Sequence, residues 1–170
     1  MLARLLTCAA VAGALVLTTP TLVAQQAPEA FWPGATYDPA VPTLRQVLGH
    51  DPGTEVTPPD QVGEYLRALA QADPARTRLV EYARSWEGRP LWLMVIGSAD
   101  RLARLDQVKS DLARLADPRG LSAAEADRLV REAPVVVWLV HGVHGNEISS
   151  SDAALFEAYH LLAARGDADV

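Results

Sequence analysis

Residues 135–147 read Val-Val-Val-Trp-Leu-Val-His-Gly-Val-His-Gly-Asn-Glu, an apolar run that breaks off at a cluster of metal-binding side chains. Six consecutive apolar residues, four of them Val, predict a β-strand buried on both faces. Such a strand needs neighbours on either side, so this run ties the chain to an architecture built around a sheet. Gly142 and Gly145 permit a tight turn at the strand's end. His144 and Glu147 follow three positions apart, where strand hands over to helix. An imidazole nitrogen and a carboxylate oxygen together suit a borderline cation such as zinc. A catalytic zinc site typically takes three protein ligands and leaves a position for water, so a third ligand has to come from elsewhere. His-x-x-Glu pairs are common by chance, and this one gains weight from its place at a strand end, where open α/β sheets bind their ligands.

The rest of the chain fits a layered domain. Residues 25–59 hold seven of the twelve prolines and no sustained periodicity, and read as a leader arm that Phe31, Trp32 and Tyr37 pack onto the domain. His50, beside the turn signature Asp51-Pro52-Gly53, reads as a solvated loop residue. Asp60 is placed to cap a helix whose apolar positions are Val62, Tyr65, Leu66 and Leu69, ending at Asp73-Pro74. Residues 78–85 and 91–96 predict an antiparallel hairpin around Gly88, with Glu87 and Arg89 solvated in its connection. Leu102, Leu105, Val108, Leu112 and Leu115 mark one face of a single helix, and Ser122 with Glu125 forms a capping-box signature for the next. A strand, two helices and a second buried strand make a crossover, right-handed if the strands are parallel. A last helix starts at the serines after Glu147 and carries Ile148, Leu155, Tyr159 and Leu162 on one face until Gly166. His160 on that helix lies roughly 20 Å along the axis from Glu147, too far to share an ion with it. His141 falls to a structural role, or to orienting a ligand from behind.

Composition bounds the function. The chain has 170 residues and a formal net charge of −6, one domain's worth of sequence with no basic stripe for nucleic acid. Arg4, an apolar run over residues 5–17, the Thr18-Thr19-Pro20 break and Ala24 predict a secretory signal peptide over residues 1–24, an uncleaved anchor being the alternative. The expected location is secreted or periplasmic, with no stable membrane insertion after cleavage. Cys8 is the only cysteine and falls within the signal, so the mature chain has neither disulfides nor thiolate ligands. No Gly-rich phosphate loop or Gly-x-Ser-x-Gly elbow is present.

The run into His144-Gly-Asn-Glu147, Gly142-Val143 before the histidine, the helix after the glutamate and the upstream segment Arg84-Ser85-Trp86-Glu87-Gly88-Arg89-Pro90-Leu91 resemble the zinc metallocarboxypeptidases of the carboxypeptidase A/B type, over roughly residues 57–164. The resemblance implies that His144 and Glu147 bind Zn2+ and that His141 does not. Asn146, where pancreatic-type members carry an Arg, is implied as a substrate-binding position. The implied fold class is α/β, a mixed, mostly parallel sheet with helices on both faces, incomplete in this chain because residues 60–170 match only the amino-terminal part of the catalytic domain. A third ligand, a Glu general base and substrate-gripping Arg and Tyr groups are expected beyond Val170. The implied reaction is removal of a carboxy-terminal residue from a peptide or protein by metal-activated water, a reaction these 170 residues alone are not expected to perform. Two alternatives stand beside it: a zinc-dependent N-acyl amino acid deacylase of the aspartoacylase/succinylglutamate desuccinylase type, and a non-catalytic binding domain on the same fold.

Overall fold

A computed structural model of the chain describes residues 31–167, so the signal peptide expected at residues 1–24 lies outside the described residues. In the proline-rich segment the structure has two short elements. Strand β1 (Thr36–Tyr37) is followed by helix α1 (Leu44–Leu48), which opens on a capping box. There the Thr43 hydroxyl accepts from the Gln46 N–H and the Gln46 side chain accepts from the Thr43 N–H at 2.7 Å. Gly49 ends the helix in the left-handed region, with φ of 87°. His50 is buried, contrary to its expected solvated place. Its Nδ1 lies 3.3 Å from the Asp51 carbonyl oxygen, because the turn after α1 folds the ring inward.

Helix α2 (Pro59–Ala72) forms where the periodicity predicts it and buries Tyr65, Leu66 and Leu69. Asp60 does not cap it. Pro58 holds the cap position and Asp60 sits in the first turn, where a carboxylate still favours the positive end of the helix dipole. At the other end the Thr77 hydroxyl lies 2.7 Å from the Asp73 carbonyl and 3.2 Å from that of Ala70, satisfying carbonyls that the helix leaves open. Thr77 also starts the predicted hairpin, β2 (Thr77–Arg84) with β3 (Pro90–Ile96), antiparallel with Thr77 opposite Ile96 and Arg84 opposite Pro90. Gly88 makes its turn at φ of 80°. Glu87 and Arg89 are solvated in the connection as expected, and pair with each other at the exposed tip. Trp92 lies against α2 at Gly63, where a Cβ would come within 2.7 Å of the indole nitrogen.

The single helix expected from Leu102 to Leu115 is two, α3 (Ala99–Ala103) and α4 (Leu105–Ala116), because Arg104 leaves helical geometry at φ −113° and ψ 23°. Helix α5 (Ala123–Glu132) begins at Ser122, whose hydroxyl accepts from the Glu125 N–H. The Glu125 carboxylate turns to Arg114 of α4. Within α4 and α5, Leu129 alone is buried, so this pair lies at the margin of the core.

The largest departure from expectation is at residues 135–140. The run forms no strand and pairs with none among the described residues, and its residues are 53 to 91% exposed. A strand exists only through a neighbour's backbone groups. Here β2 pairs with β3, and β1 with β4 (Ala164–Arg165), and the run joins neither sheet although each keeps open edges. Both sheets are two-stranded and antiparallel. A mostly parallel sheet is not seen among the described residues, and mixed helices with small antiparallel sheets take its place.

Helix α6 (Ser149–Ala163) supplies the other half of the core: Leu155, Ala158, Tyr159, Leu162 and Ala163 meet Tyr65, Leu66 and Leu69 of α2, with Val41 and Leu44 closing one side and Trp92, Met94 and Ile96 of the hairpin the other. The aromatic residues at 31, 32 and 37 pack on α6 as expected, Phe31 and Trp32 against Phe156, and Tyr37 stacked on Tyr159 at 5.3 Å between ring centroids. No helix among the described residues is long and apolar enough to cross a membrane.

Candidate functional site

The site begins where the apolar run ends. Gly142, at φ of 71°, turns the chain back toward α6, and the Glu147 N–H donates to the His144 carbonyl at 3.0 Å, closing a turn over the two residues of interest. The turn brings both side chains to the same point: His144 Nδ1 lies 3.0 Å from Glu147 Oε1, with the two side chains 67% and 59% exposed. Two donors bound at about 2.1 Å to one tetrahedral zinc would stand about 3.4 Å apart. The observed 3.0 Å is a direct hydrogen bond between imidazole and carboxylate, so the pair is already convergent, and its donor types are those that zinc accepts. His144 and Glu147 are therefore two side chains that would hold a shared metal ion.

The other expected site residues separate from this pair. His141 is turned to the protein, its side chain 25% exposed and its Nε2 3.0 Å from Glu157 Oε2 of α6. Asn146 is exposed within the turn. His160 is only 3% exposed, stacked on Trp32 at 3.8 Å, with Tyr37 Oη 2.9 Å from Nδ1 and Asp167 Oδ2 3.0 Å from Nε2. Both its nitrogens are engaged, so it clamps residues 31–37 to α6 and has no place in the turn. Among the described residues no three His, Cys, Asp or Glu side chains are grouped to hold a metal.

A zinc carboxypeptidase family model matches residues 62–170, more than half of the sequence and inclusive of this turn. The chain belongs to the zinc carboxypeptidase family. No curated protein and no solved structure matches it. Zinc carboxypeptidases are zinc-using hydrolases of peptides, and the matched span runs from α2 through the hairpin to the His144–Glu147 turn and α6.

Sequence reasoning missed two residues that contact the chain just ahead of the turn in this member of the zinc carboxypeptidase family. Ser150 Oγ accepts from the Gly142 N–H at 2.7 Å, where the serines read only as the start of a helix. No side chain caps α6, whose first flanking residue is Ile148. Glu157, facing His141, drew no attention as one charge on a helix. The available signal was spacing: positions 150 and 157 are two helical turns apart and share a face, with Ala153 and Ala154 between them.

Proposed function

We propose that the protein is a metallocarboxypeptidase in which His144 and Glu147 are two of the zinc ligands, and that it removes carboxy-terminal residues from peptides. The observation that carries this reading is the 3.0 Å approach of His144 Nδ1 to Glu147 Oε1, at the end of an apolar run inside the span matched by the family. Zinc, when bound, supplies Lewis acidity toward a peptide carbonyl and lowers the pKa of water. The chain's own part is to present one imidazole nitrogen and one carboxylate from a turn braced on α6, with Asn146 beside them facing solvent for contact with substrate. His141 stays behind the turn and orients it. We assign the third ligand and the general base to residues outside those described here, and residues 135–140 to a mostly parallel sheet completed by further strands, since six exposed apolar side chains in a row otherwise have no cover. Residues 1–24 are proposed as a cleaved signal peptide, giving a secreted or periplasmic enzyme.

The test is hydrolysis of a peptide panel by the full-length protein, with N-acyl amino acids assayed in parallel. Release of single carboxy-terminal residues, abolished by a zinc chelator and by Glu147→Gln, is expected. Turnover confined to N-acyl amino acids would assign a deacylase instead, and a zinc-loaded protein inert toward both would assign a binding domain.

A further inference from the structure

Helix α6 does more than follow the metal turn. Two ties from one of its faces reach back to His141 and Gly142, just ahead of that turn. Ser150 Oγ takes the Gly142 N–H at 2.7 Å, and Glu157 Oε2 lies 3.0 Å from His141 Nε2. The first fixes a glycine at φ of 71°, the pivot on which the chain reverses toward His144. The second joins a half-exposed carboxylate to an imidazole that is mostly covered. The approach of Glu157 is off the line a hydrogen bond needs, which leaves Oε2 buried without an aligned donor. The 3.0 Å polar contact sets the His141 ring against the helix. Ser150 and Glu157 are about 10 Å apart along the axis, and Ala153 and Ala154 keep the face between them low.

We propose that Ser150 and Glu157 are positioning residues for zinc: acting through Gly142 and His141, they hold the turn in the form that brings His144 and Glu147 together. The inference rests on the zinc reading above. It predicts that the ligand pair is organised before metal arrives, because both ties are made by protein groups alone. A turn free to wander would have to be ordered at the moment of binding, and affinity would fall accordingly.

The test is zinc affinity of the full-length protein, read by competition with a chromophoric chelator, with thermal unfolding of the zinc-free protein recorded for each variant. Ser150→Ala and Glu157→Ala should each weaken zinc binding by about 10–100-fold while the zinc-free melting temperature stays close to that of the parent. Glu157→Gln keeps a polar oxygen of the same reach beside the His141 ring and should restore most of the affinity. His141→Ala combined with Glu157→Ala should be no worse than His141→Ala alone, since both remove one interaction. Parental affinity in Ser150→Ala and Glu157→Ala, or additive losses in the double variant, would overturn the proposal. If Glu157→Ala does not fold, Ser150→Ala decides, parental affinity again overturning it. Glu147→Gln separates the two levels: affinity lost there but intact in Ser150→Ala and Glu157→Ala refutes the positioning roles alone, whereas affinity intact in Glu147→Gln refutes the zinc reading and the positioning roles with it.

Discussion

Tyr65 shows how much one side chain of the core is asked to do. It is among the most buried residues of α2, and its hydroxyl donates to the Pro42 carbonyl at 3.0 Å, tying the proline-rich segment to the helix. Burial pushes its phenol well above the ordinary range, with the neighbouring Tyr159 adding to the shift. The sign follows from which state gives up the proton. An unfolded tyrosine ionises near about pH 10, whereas the buried one stays neutral, so stability is full below that pH and falls as pH rises above it. Melting temperature measured from pH 8 to 11 should decline above about pH 10. Tyr65→Phe should lose about 0.5–1.5 kcal/mol at neutral pH through the missing hydrogen bond, yet show a shallower alkaline decline. Tyr159, raised by burial and by Asp38, should account for the slope that remains. Single residues were unevenly legible in the sequence. His144 and Glu147 could be paired by spacing, since a turn brings positions three apart together. The engagement of His160 by Tyr37 joins positions 123 residues apart, and no local pattern encodes it; the burial of His50 at a turn signature was not legible either.

At the scale of elements, a helix carries most of its own instructions and a central strand carries few. Helix α2 and the β2–β3 hairpin formed where periodicity and turn residues place them, because their hydrogen bonds close within the element or across one short connection. The Thr43-x-x-Gln46 box of α1 was also written in the sequence, but proline density around it masked a helix of one turn. The break at Arg104 was not legible, since the apolar spacing runs unbroken through it. Residues 135–140 are the opposite case: their composition is that of a doubly buried strand, but pairing and cover must come from other segments, and the described residues supply neither. The contact that does hold the described elements together is α2 against α6. Leu162 lies at its centre, fully buried, and Leu162→Ala should cost about 2–5 kcal/mol through lost burial and the cavity left behind. Chemical denaturation reads this directly. An exposed position such as Val130 of α5, changed to Ala, should stay within about 0.5 kcal/mol.

For the whole molecule, the parts combine into a scaffold that presents a turn. The α2–α6 core fixes α6, α6 braces the chain at Gly142 and His141, and the turn sets His144 and Glu147 3.0 Å apart. Membership of the zinc carboxypeptidase family gives that arrangement its chemical context. The central claim is that these two side chains, and not His141, ligate the metal. It is tested most directly by zinc content, determined by elemental analysis of the purified full-length protein and of His144→Ala, Glu147→Gln and His141→Ala after dialysis against dilute zinc. The account predicts about one zinc per chain in the parent, little in His144→Ala and Glu147→Gln, and a substantially retained metal in His141→Ala, whose loss weakens binding without removing a ligand. Equal loss of zinc from His141→Ala and Glu147→Gln, or full retention in His144→Ala, would contradict it.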